Sequence, residues 1–123
     1  MSLPYQSLVA WQRADDLFID LHTLTIKAFP PFERYELGSQ TRRAAYSVAA
    51  NLVEGSERQN KGEKLQFLNV SRSSLAEVGY CVHVARRLGY VSESRCKELD
   101  LSIRQVGAAL NGYIRAVREG RSM

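Results

Sequence analysis

Cysteine occurs only twice in the 123 residues, as Cys81 and Cys96, and there is no Cys-x-x-Cys pair. Two thiols allow one intramolecular disulfide at most, which excludes a disulfide-built scaffold and makes a reducing compartment the simpler expectation. Proline is equally sparse: Pro4, Pro30 and Pro31 are the only three, so few points force the backbone out of a helix. Glycines such as Gly55 and Gly62 stand alone, without the spacing of a phosphate-binding loop. No apolar run approaches the roughly 18 residues that span a bilayer, and the first thirty residues lack the basic-then-apolar order of a secretory signal. These absences lead to the expectation of a cytoplasmic protein without a membrane partner.

What is present is an ordinary globular composition, with 45% hydrophobic and 24% charged residues, of a length that suits a single domain over residues 1–123. The apolar residues recur with helical period. Trp11, Ala14, Phe18, Leu21, Thr25 and Ala28 alternate at spacings of three and four, with Leu17 and Leu24 widening the stripe, which predicts a helix over 8–28 ended by Phe29-Pro30-Pro31-Phe32. A second helix is expected over 39–56 with Ser39 as its cap. Its Ala44, Ala45, Val48, Ala49, Ala50, Leu52 and Val53 surround most of the cylinder, more apolar surface than one stripe of a bundle hides, which suggests a subunit interface. Asn60 with Glu63 resembles a capping pair for a third helix over 62–88, and Gly89 followed by Tyr90 suits its C-terminal stop. In the fourth helix, over 92–119, Cys96, Leu99, Ile103, Val106, Leu110, Tyr113 and Val117 form a heptad seam. Four helices with short links predict an all-α, up-and-down antiparallel four-helix bundle.

Catalytic chemistry finds little support. Bundle metal sites use inward carboxylates with Glu-x-x-His, and that motif is missing. His22 and His83 fall on borders or outer faces of their helices, and both cysteines lie on apolar arcs, where a thiol acts as a small hydrophobe. Asp15, Asp16 and Asp20 sit early on the polar face of the first helix, where carboxylates favour the helix dipole and solvent. The expectation is a chain that is not an enzyme, with no catalytic residue, metal or cofactor.

Charge is the more informative property. The formal net charge is +4, but residues 1–36 hold 3 basic and 5 acidic side chains and residues 37–123 hold 14 and 8. On the fourth helix Lys97, Arg104, Arg115 and Arg118 lie away from the heptad seam, together with Asn111. The polar face of the third gathers Asn69, Arg72, Ser73, Tyr80, His83 and Arg87. Cations at helical spacing track phosphates, and an interleaved aromatic stacks on an unpaired base. Arg42 and Arg43 open the second helix, where the dipole disfavours positive charge, so carboxylate partners are expected from Glu33 and Glu36 or from Glu54 and Glu57 of a neighbouring subunit.

The stretch Phe29-Pro30, Glu33-Arg34-Tyr35, Leu37, Ser39-Gln40, Arg42-Arg43-Ala44-Ala45, Ser47 and Asn51-Leu52-Val53-Glu54-Gly55 resembles the signature of a four-helix-bundle family, the 23S rRNA intervening-sequence proteins. Trp11 with Ala14, Phe67-Leu68, Leu75-Ala76-Glu77 and Leu88-Gly89-Tyr90 extend the resemblance over about residues 8–117. Leu52-Val53 stands where the family often has Ile-Ala, Ser73-Ser74 where it often has Gly-Ser, and Gly79 near a position often filled by a carboxylate or leucine. The resemblance implies a ring-shaped homopentamer without enzymatic activity, in which the charge would multiply to about +20. A related accessory protein of diversity-generating retroelements binds nucleic acid and a reverse transcriptase through a basic surface.

Two functions are therefore expected to compete. The first is binding of RNA or DNA through Lys97, Arg104, Arg115, Arg118, Arg72, Tyr80 and Arg87. The second is a scaffold or accessory subunit for a nucleic-acid-processing protein such as a reverse transcriptase or ribonucleoprotein. In either case Arg42, Arg43, Ala45, Ala49, Val53 and Glu54 are expected to serve the subunit interface or the structure.

Overall fold

The computed structural model describes residues 3–121, and the regular structure among them is entirely helical. Four α-helices follow one another: α1 (Val9–Ala28), α2 (Leu37–Glu57), α3 (Lys61–Arg87) and α4 (Glu93–Arg118). Single 3-10 turns at Pro4–Ser7 and Pro31–Glu33 precede α1 and α2.

Each helix packs on the next, and α4 returns to α1. Contacts at the ends give the directions. Lys61, opening α3, donates to the carbonyl of Arg118 at the end of α4, and Gly55 near the end of α2 lies against Leu68 near the start of α3. At the opposite end Tyr90, just past α3, meets Phe29, just past α1, with ring centroids 5.4 Å apart. Helices α1 and α3 therefore run one way and α2 and α4 the other, an up-and-down bundle. Leu21, Leu52, Leu68, Leu99, Leu110 and Ile114 fill its centre and are essentially inaccessible to solvent. Of the heptad seam, Cys96, Leu99, Val106, Leu110 and Tyr113 are buried, and Ile103 and Val117 lie half-buried beside them.

The helix ends follow local chemistry. Asn60 accepts from the Glu63 amide at 3.0 Å and Ser92 from the Arg95 amide at 3.1 Å, each satisfying a first-turn donor. Gly89, at φ 81°, lets the chain reverse, so that its own amide reaches Arg86 O at 3.0 Å and the Tyr90 amide reaches Ala85 O at 2.9 Å. This is the Schellman arrangement, which a side-chain-bearing residue enters at a cost.

Three expectations need correction. Ser39 does not cap α2, which begins two residues earlier. Glu33, at the end of the 3-10 turn, instead accepts from the Leu37 amide at 3.2 Å, because the turn folds its carboxylate back over the helix entrance. A Cβ on Gly38 would come within 2.8 Å of the Glu33 carbonyl, so this approach requires glycine. The all-round apolar character of α2 is also absorbed largely inside the chain. Ala44, Ala45, Val48, Ala49, Leu52 and Gly55 are buried, because small side chains let both neighbouring helices come close. Finally, Asp20 is not a purely solvated carboxylate: it pairs with Arg95 of α4 across the helix gap, with Arg95 also 3.7 Å from Glu98.

Candidate nucleic-acid interface

The α3–α4 register is fixed by packing. Gly107 turns its bare Cα toward Leu75, whose Cδ2 lies 3.5 Å from where a Cβ would sit, and Arg86 pairs with Glu93 at 3.9 Å nearer the tight turn. In an antiparallel pair these contacts set the rest of the surface in order. Lys97, Arg104, Arg115 and Arg118 are all exposed on α4, and Arg72, Tyr80 and Arg87 are exposed on α3. The two rows share one side of the bundle, since Arg104 and Asn111 lie one turn before and one turn after Gly107, the residue that faces α3.

The cations differ in what holds them. Arg58, Arg86, Arg95 and Arg121 have carboxylate partners, at Glu54, Glu93, Asp20 with Glu98, and Glu119. Among the described residues Lys97, Arg104, Arg115, Arg118 and Arg87 have none within ion-pair distance, and Arg72 is braced only by the Asn69 side-chain oxygen at 3.0 Å. Asp100, between Lys97 and Arg104 on α4, contributes a carboxylate to this side and faces the Cys96 thiol at 3.9 Å.

Within the chain neither Arg42 nor Arg43 pairs with Glu33 or Glu36. Arg42 is half-buried and donates to Thr25 Oγ1 at 3.0 Å and Arg34 O at 2.8 Å, tying the end of α1 and its connection to α2. Those neutral acceptors suffice because Glu33 is already occupied by the Leu37 amide and by the Tyr90 hydroxyl, which donates to it at 2.7 Å. Arg43 is exposed at a polar groove of about 460 Å³ that Glu36, Gln40, Ser47, Ser74 and Glu77 also line. No histidine or cysteine lines that groove. Ala45 and Ala49 are covered by the chain's own helices, at 1% and 9% exposure. Val53 is half-buried and Glu54 exposed beside a shallow pocket between α1 and α2.

Several groups were not read from the sequence. Lys64 donates to Gly55 O at 2.9 Å and Ser56 O at 3.2 Å, closing the end of α2. Its burial lowers the ammonium pKa, opposed by nearby Glu57. Arg58 stacks over the Phe67 ring at 4.7 Å. The signal for Lys64 was its place four residues past the Asn60 cap, one turn into a helix that must start beside the end of the preceding one. Cys81 and Cys96 are buried free thiols, and desolvation is the main cause raising both pKa values. Among the described residues no cluster of three or more His, Cys, Asp or Glu side chains is arranged to hold a metal, and no helix is long and apolar enough to cross a membrane.

The fold and this surface define a small antiparallel helical bundle with a basic two-helix side. Its sequence matches the 23S rRNA-intervening sequence protein family over residues 6–112, and the chain belongs to that family. A crystal structure of a protein of unknown function from the S23 ribosomal protein family of Bacteroides thetaiotaomicron VPI-5482 has the same fold. It superposes with a TM-score of 0.80 at 16% identity, covering 87% of this chain and 96% of that one. At that identity the likeness is one of fold. No curated protein matches the chain.

Proposed function

We propose that the protein is a non-enzymatic nucleic-acid-binding bundle that holds RNA or DNA phosphates on the α3–α4 side and works as a homo-oligomer, a ring of five. The supporting observation for binding is the set of cations gathered on one side, Lys97, Arg104, Arg115, Arg118 and Arg87, that lack carboxylate partners among the described residues, whereas Arg58, Arg86, Arg95 and Arg121 are paired. Phosphate contacts of this kind give affinity and steep salt dependence without sequence reading. Assembly is supported by the large apolar side chains left open around α2: Phe32, Tyr35 and Tyr46, at 73%, 83% and 61% exposure. Repeating the charge five times strengthens the field that attracts a polyanion.

Fluorescence anisotropy with a labelled structured RNA and a labelled DNA duplex, across a salt series, tests the binding. The expected result is affinity that falls linearly on a log–log plot with salt, and a double variant Arg104→Glu/Arg115→Glu with a shallower slope and weaker binding. Binding that ignores salt, or that survives the double variant unchanged, overturns it.

A further inference from the structure

Tyr80 is the feature of the basic side that phosphate binding leaves unused. It stands in the C-terminal half of α3 and is 67% exposed. One turn further on, the His83 ring stacks nearly parallel to it, at 22° and 6.2 Å between centroids, so an aromatic partner already lies against the phenol ring. Arg72 lies eight residues before and Arg87 seven residues after, about 12 Å and about 10 Å along the axis. The ring is thus set along the helix between two cations.

Across the groove the register of Gly107 against Leu75 brings Tyr80 level with the Leu101–Arg104 turn of α4, where Arg104 is exposed. Between them stands Gly79, and a Cβ built there meets nothing within 4 Å. The α3–α4 junction is therefore open beside the ring. The nearest carboxylates along the helices are Glu77, one turn back toward the α2 side, and Asp100, on the α4 turn before Arg104.

A duplex keeps its bases stacked inside and presents phosphates to a convex two-helix surface, so an exposed ring adds little to holding it. A strand with unpaired bases can place one on the ring while its phosphates meet the flanking guanidinium groups. We propose that this side of the bundle selects single-stranded nucleic acid, stacking an unpaired base on Tyr80 between Arg72 and Arg87. The proposal rests on the basic-side reading above and adds to it the strandedness of the ligand.

The test compares Tyr80→Ala, Tyr80→Phe and the control Ile19→Ala, an exposed apolar residue of α1, for binding to labelled mixed-sequence single-stranded RNA, single-stranded DNA and the matching duplexes. Tyr80→Ala is expected to weaken single-strand binding about 5- to 100-fold and to leave duplex binding unchanged. Tyr80→Phe should keep the single-strand affinity, and Ile19→Ala should change nothing. The RNA and DNA strands tell which sugar is preferred, and a loss on either one supports stacking. Equal loss on strands and duplexes, or no loss on any, overturns the proposal. If Arg104→Glu/Arg115→Glu weakens binding while Tyr80→Ala has no effect, only the stacking inference fails; if neither variant has an effect, the basic-side reading fails with it.

Discussion

The hydroxyl of Ser71 donates to the main-chain carbonyl of Val48 at 2.8 Å, with no solvent access to Ser71. It bonds α3 directly to the backbone of α2, at a point where only a short side chain allows the helices to come so close. The Ser47 and Ser74 hydroxyls, 2.8 Å apart, repeat the device near the groove. Replacing Ser71 by Ala should cost about 1 kcal/mol, since the carbonyl remains within its helix ladder and only the added bond is lost. Urea unfolding with an unchanged m-value checks this.

Two glycines should respond in opposite ways to the same substitution. A Cβ on Gly55 comes within 3.1 Å of Leu68 Cδ2 and 3.3 Å of Phe67 Cβ, and Leu68 is fully buried and cannot yield easily. Gly55→Ala should destabilise by roughly 1 kcal/mol or more. Gly79 has open space, so Gly79→Ala should stabilise α3 by about 0.5–1 kcal/mol. The family resemblance places a carboxylate or leucine near Gly79, and no close contact there requires glycine. Thermal denaturation of the two variants, measured side by side, decides both signs.

Stability should fall in alkali. A hydrogen bond to Glu33 is the main cause raising the Tyr90 pKa, while burial raises those of Tyr113, Cys81 and Cys96. A group with a folded-state pKa above its unfolded value stabilises fully below the unfolded value and loses that contribution as pH rises through the folded one. With ordinary values of 9.0 for the thiols and 10.0 for the phenols, the loss should begin near pH 9 and deepen above 10. Lys64, whose pKa is lowered, works in the opposite sense in the same range and softens the fall. Tyr90→Phe should lower stability at neutral pH and flatten the phenol part of the decline, as read by chemical unfolding at a series of pH values.

Assembly should depend on the open aromatics of α2 and its entrance. Tyr46→Glu, alone and with Tyr35→Glu, should reduce the particle toward the 13.9 kDa protomer in light scattering while the helical circular dichroism is kept. A wild-type particle of protomer mass, or an unchanged particle in both variants, would show that these side chains do not join subunits.

The Asp20–Arg95 pair should contribute modestly, because both side chains are partly exposed, at 40% and 30%. A double-mutant cycle with Asp20→Ala and Arg95→Ala should give a coupling of about 0.5–1 kcal/mol that shrinks in high salt.

The four helices were legible in the sequence because a period of three and four residues is local: Leu99, Val106 and Leu110 declare a buried stripe without reference to any other helix. Asn60 and Gly89 declared helix ends for the same reason, since a cap acts within a few residues of itself. The row Lys97, Arg104, Arg115 and Arg118 could likewise be assigned to the outer side of its helix. Long-range partners could not be read. Glu33 capping α2 while holding Tyr90, Arg42 turning to Thr25 and Arg34 instead of a carboxylate, and Asp20 reaching Arg95 all depend on distances between segments far apart in the chain. The burial of α2 was decided in the same way: its many small apolar residues implied cover on several sides, but only the close approach of α1 and α3 determined that most of the cover comes from the chain itself. The sequence determined which residues carry charge and which face of each helix is apolar, because those are properties of local spacing. The tertiary structure decided which charges are left without partners and that Tyr80 stands level with the Leu101–Arg104 turn, because pairing and register arise only when the helices pack.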